Sequence, residues 1–161
     1  MPAPIEIHFH ASDTDVALKE AGRIVVLVGE GGKLSAVGAR VDRAAKGAVK
    51  RALASEAWGK LKAGEALDLA WPVGLSAEAV QLVLLPAKAS VIEARKAGAT
   101  IAKGLGKAGA LVVAGNHPRA AELSLGLALR AYDFSIYKSG EKAVKGAVRF
   151  LADNAEKLAS E

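Results

Sequence analysis

Ile24-Val25-Val26-Leu27-Val28 decides the architecture of this chain, because five aliphatic residues in a row leave no polar face for water to cover. Such a run predicts a central strand packed on both sides. Gly29-Glu30-Gly31-Gly32-Lys33 follows at once. Beyond that loop, Val37, Val41, Ala45, Val49 and Leu53 recur every fourth residue, with Arg43, Lys46 and Lys50 on the far side. That period predicts one long amphipathic helix.

Further strands appear on either side. Val80–Leu85 is a second fully apolar run, and Ala110–Val113, followed by Gly115, is a third. Ile5–His10 alternates as an exposed or half-covered strand does, and Leu67, Leu69 and Trp71 share one face of a half-buried one. Val144, Val148 and Phe150 alternate with Lys145 and Arg149, a pattern suited to a strand near the sheet edge. Ser90-Val91-Ile92-Glu93 has the spacing of a capping box, and the helix it opens turns Ala94, Ala97, Ile101, Ala102 and Leu105 inward. Another helix begins near Pro118. Its polar strip is confined to Arg119, Glu122 and Arg130, which predicts burial around most of its circumference. Gly126 falls on that strip, where alanine would be the better helix former by about 1 kcal/mol. The absent side chain implies that something approaches the backbone there, either a neighbouring helix or a further domain.

Short apolar runs alternating with helical periods give an α/β fold of three layers, a mixed and mostly parallel sheet flanked by helices on both faces. Residues 1–152 read as a single α/β domain. Residues 153–161 read as the start of an interdomain helix, capped by Asp153 or Asn154, that breaks off after about two turns and is too short to stand alone.

Composition removes whole classes of chemistry. The 161 residues contain no cysteine, so disulfides, thiolate metal sites and cysteine nucleophiles are excluded, which agrees with a cytoplasmic setting. MPAPIEIHFH has neither the basic region nor the apolar run of a signal peptide, and no stretch approaches the roughly 18–20 apolar residues of a membrane helix. The net charge of +5 is spread along the chain and reads mainly as a solubility feature, since aromatics for base stacking make up only 4% of residues.

Candidate sites are few. Gly104-Leu105-Gly106-Lys107-Ala108-Gly109 satisfies G-x-G-x-x-G but follows a helix and precedes a strand, the reverse of a dinucleotide site, so it reads as a helix cap and turn. Gly29, Gly31, Gly32 and Lys33 are better placed, after a strand and before a helix, where main-chain amides can hold an anion; the other reading is a solvent-exposed connection with Ser35 as helix cap. His8 and His10 share a strand face without a third ligand, and His117 stands in the turn after a strand. Asp42, Glu56, Glu65, Asp68 and Glu78 are scattered through surface-like positions and offer no tight pair for acid–base work. No catalytic or metal-ligating residue is assigned, and no cofactor is expected in this chain.

Gly126-Leu127-Ala128-Leu129-Arg130-Ala131-Tyr132-Asp133-Phe134-Ser135-Ile136-Tyr137-Lys138 resembles the G-x-x-L-x-x-Y-x-F-x-x-Y-K segment of leucyl aminopeptidases, which closes a helix of their N-terminal domain and leads to its last strand. The order of elements before it is similar too. The resemblance implies a macro-domain-like fold without chemistry of its own. The family's peptidase site, with two divalent ions (zinc or manganese), belongs to a C-terminal domain whose N-T-D-A-E-G-R signature does not occur here. It further implies a role in assembling a homo-hexamer and in access to the active site. Tyr132, Phe134 and Tyr137 then become candidates for the surface near the domain junction, their other role being to pack the last strand against Ala121–Leu129. Because some bacterial members bind DNA, Arg40, Arg43, Lys46 and Lys50 become candidate DNA contacts, and the macro-like pattern makes the Gly29–Gly32 loop a candidate for ADP-ribose or a similar phosphate ligand.

Overall fold

The computed structural model describes residues 7–10, 22–29, 32, 34, 36–70, 77–86, 88–103, 110–115, 120–137 and 148–152. Six strands form one sheet: β1 (Ile7–His10), β2 (Arg23–Val28), β3 (Ala66–Ala70), β4 (Ala79–Leu84), β5 (Ala110–Gly115) and β6 (Val148–Ala152). Their spatial order is β1-β6-β5-β2-β4-β3. All neighbours run parallel except β3, which pairs antiparallel with β4. Among the described residues five helices accompany them: α1 (Ala36–Ala44), α2 (Ala48–Leu53), α3 (Glu56–Gly59), α4 (Val91–Lys103) and α5 (Ala120–Tyr137).

Strand β2 is central, and Ile24 through Val28 are all buried. Alternation splits them between two cores. Ile24, Val26 and Val28 pack with Val41, Val49 and Trp58 on the side of α1–α3. Val25 and Leu27 pack with Ala94, Ala97, Ile101, Leu123 and Leu127 on the side of α4 and α5. This is the expected three-layer arrangement. Strand β6 lies one place in from the edge, which β1 occupies, and both Val148 and Phe150 are buried.

The capping box forms as its spacing predicts: the Glu93 amide donates to Ser90 Oγ (3.1 Å) and the Ser90 amide donates to Glu93 Oε1 (2.9 Å). Two other expectations fail. The period from Val37 to Leu53 is not one helix, because α1 ends at Ala44 and α2 begins at Ala48. A repeat of four residues drifts by ~40° per step on a helix of 3.6 residues per turn. Over this segment the drift would carry the apolar positions far around the cylinder. A break resets the face. It is a Schellman turn: the Gly47 amide donates to the Asp42 carbonyl (2.9 Å), the Lys46 amide to that of Arg43 (3.1 Å), and Lys46 and Gly47 take φ of 58° and 82°.

Helix α5 is also less covered than its sequence implies. Leu125 and Leu129 are 43% and 53% exposed, while Gly126 is buried and faces α4 instead of joining the polar strip. A Cβ on Gly126 would sit 2.6 Å from the Arg95 Cα, and one on Gly98 would sit 2.5 Å from the Leu127 nitrogen. The two helices therefore cross backbone to backbone at two glycines. A neighbouring helix, and not a further domain, explains Gly126.

Gly98→Ala and Gly126→Ala are each expected to lower stability by about 1–3 kcal/mol, because backbone on both sides must shift. Gly59→Ala, where no atom lies within 4 Å of the new Cβ, is expected to be neutral or stabilising by up to about 1 kcal/mol. Urea unfolding of the three variants checks the contrast.

Candidate functional site

The helices that follow β2 and β4 lie on opposite faces of the sheet. Beyond Val28 the chain joins the α1–α3 layer, and beyond Leu84 it passes to α4 through Leu85 and Ala89, which belong to the other core. Divergent exits from adjacent parallel strands open a crevice at their C-terminal ends, the usual ligand position in open α/β sheets. An open cleft of about 780 Å³ occupies that position. Gly29 and Leu84 lie at its strand side, Leu53 and Trp58 come from α2 and α3, and Lys50 contributes its charge.

Of the candidate anion loop, Gly29 and Gly32 line this cleft, while Gly31 and Lys33 lie outside the described residues. Gly32 has φ of 78°, and its amide donates to the Gly29 carbonyl (3.2 Å), so that N–H closes the turn. The aromatic segment occupies the last two turns of α5 ahead of β6. His8 and His10 stand two apart in β1, opposite Arg149 and Leu151 of β6. His117, Gly104–Gly109, Trp71 and residues 153–161 lie outside the described residues. No group of three His, Asp or Glu side chains converges as metal ligands among the described residues, and no helix among them is long and apolar enough to cross a membrane.

One sequence reading needs correction. Asp42 is not a surface carboxylate. It is 5% exposed, and its Oδ1 accepts the Lys50 amide at 2.8 Å, capping α2 across the Schellman turn. The charge also has a local excess. Residues 36–62 hold seven Lys and Arg against two carboxylates, a surplus equal to the whole +5 of the chain. All seven cations, including Arg40, Arg43, Lys46 and Lys50, are exposed, whereas Asp42 is turned inward. Counting charge by segment would have revealed the surplus; only the fold shows that Asp42 contributes nothing to that surface. Elsewhere, Asp68 lies 3.1 Å from Arg23 Nη1, and Glu65 Oε1 accepts the Lys62 amide.

Residues 25–141 match the cytosol aminopeptidase family, N-terminal domain. The chain is 50% identical over 161 residues to a probable cytosol aminopeptidase of Cereibacter sphaeroides, covering all of this chain and 33% of that protein. It is 42% identical over 146 residues to a probable cytosol aminopeptidase of Dinoroseobacter shibae, covering 91% of this chain and 30% of the other. The chain thus spans about a third of the length of these curated relatives. Among solved structures, a Trypanosoma brucei macrodomain in complex with ADP-ribose superposes with a TM-score of 0.66 at 17% identity, over 96% of this chain and 66% of that one. A tomato leucine aminopeptidase variant does so with 0.65 at 16% identity, over 98% and 35%. At such identities these two define the fold alone, and that fold is macro-domain-like.

Asp42→Ala removes the α2 cap and leaves the Lys50 amide without its acceptor. The expected loss is about 1–2 kcal/mol, read by urea unfolding.

Proposed function

The chain belongs to the cytosol aminopeptidase family as its N-terminal domain, and from that premise we propose that it is a noncatalytic part of a cytoplasmic enzyme that releases N-terminal amino acids from peptides. Its role is to contribute to assembly of a homo-hexamer and to access to the active site. The observation that carries this reading is the match itself: the family's N-terminal domain covers most of the chain, and the relatives are about three times longer. Two hydrolytic metal ions, zinc or manganese, require several converging carboxylates. In this reading the ions and their chemistry belong to the rest of the enzyme. Leu125 and Leu129 stand one turn apart on α5 and leave apolar area exposed on the helix that carries Tyr132, Phe134 and Tyr137. Exposed leucines in that position suit a face covered by the enzyme's own remaining domain or by neighbouring subunits.

The isolated 161-residue chain is expected to release nothing from leucine anilides with added manganese or zinc; turnover by the pure chain would overturn the noncatalytic reading. In the full-length enzyme, Leu125→Glu with Leu129→Glu is expected to reduce the assembled mass measured by light scattering. An unchanged hexamer would remove α5 from the assembly surface.

A second reading rests on a separate observation, the net charge of +5 carried by residues 36–62, which span α1 to the turn after α3. A positive face of that kind attracts polyanions, and we propose DNA as a further partner. Binding to a duplex is expected to weaken steeply with salt. Charge removal at Arg40, Arg43, Lys46 and Lys50 is expected to reduce the slope of log K against log salt by about 0.9 for each phosphate that is no longer neutralised. A titration at several ionic strengths checks this, and no binding at low salt would dispose of it.

A further inference from the structure

The cleft between the ends of β2 and β4 is explained by neither reading above. Its walls are mainly apolar: Leu53 from α2, Trp58 from α3, Leu61 from the following turn and Leu84 from β4. Glycine and alanine at Gly29, Gly32, Ala54, Gly59 and Ala63 keep it wide. Among the described residues, Lys50 is the sole charged one at its lining, and no carboxylate faces into it. Lys50 is fixed at the base of its side chain, because its amide is held by the buried Asp42, while the side chain remains exposed. The cleft also opens beside residues 36–62, which carry a net charge of +5, so the local field favours a multiply charged anion over a singly charged one.

We propose that this cleft binds a small phosphate monoester with an apolar or aromatic body. The phosphate sits on Lys50 Nζ, as a compact point charge suits. The body lies against Trp58, Leu53, Leu61 and Leu84, where apolar contact supplies most of the affinity. A phosphate without a body has only the ammonium. A body without a phosphate has only the walls. Cationic ligands find no carboxylate among the described lining residues. This site is independent of the assembly role, because it lies on the α1–α3 side of β2 while the exposed leucines lie on α5.

The test uses the 161-residue chain with Trp71→Phe, so that Trp58 alone reports by fluorescence, and backbone amide NMR shifts map the site. Probes are 1-naphthyl phosphate, 1-naphthoate, 1-naphthol, adenosine monophosphate, ADP-ribose and inorganic phosphate. Saturable binding of 1-naphthyl phosphate is expected, with shifts concentrated in residues 50–61 and in Gly29 and Leu84. Naphthoate, naphthol and inorganic phosphate should each bind at least about tenfold more weakly. Lys50→Ala should weaken 1-naphthyl phosphate by about tenfold, the order expected for one charge-assisted bond, and Lys50→Arg should retain it, both with unchanged thermal melting. The adenosine monophosphate and ADP-ribose arms distinguish a nucleotide body from a simpler aromatic one. Equal affinity in Lys50→Ala, naphthol binding as tightly as its phosphate, or shifts lying away from the cleft would each overturn the proposal.

Discussion

Burial of β2 on both faces is the constraint from which the rest of the molecule follows. Five consecutive aliphatic side chains, each worth about 1.5–3 kcal/mol when fully buried, must find cover above and below the sheet. Layers of helices on both sides satisfy them, with Ile24, Val26 and Val28 in one core and Val25 and Leu27 in the other. Because the chain enters one layer from β2 and the opposite layer from β4, the strand ends separate and leave a crevice. The same pressure that closes the two cores therefore opens the cleft.

Coverage of the second face demands that α4 and α5 come close together. Gly98 and Gly126 permit this by removing side chains at the crossing, so the helices meet through their backbones. That approach seals Ala94, Ala97, Ile101, Leu123 and Leu127 into one core. Close approach on one side of α5 turns Leu125 and Leu129 outward on another. A helix that is apolar nearly all round thus has a face to spare.

On the opposite layer the governing device is the Schellman turn between α1 and α2. It cancels the drift of the apolar period, keeps Val41 and Val49 in one core and draws Asp42 inward to cap α2. With one of its two carboxylates buried, the segment shows water an almost purely cationic surface. Lys50 belongs both to that surface and to the rim of the cleft, so the electrostatics of the two are coupled.

Much of this was fixed locally and was therefore readable from the chain: IVVLV as a doubly covered strand, and Ser90 and Glu93 as a capping box. The tyrosine-bearing segment after Gly126 pointed to the family for the same reason, since its information is contiguous. Tertiary structure alone decided whatever depends on residues distant in sequence. Whether Gly126 meets a helix or a domain turns on Arg95, thirty-one positions earlier. Whether Asp42 faces water turns on an amide eight residues away, across a turn that periodicity hides. The cleft needs strand ends from Gly29 and Leu84 and a lysine from between them. Pattern along a chain records which side chains must avoid water, but it does not record which of them will meet.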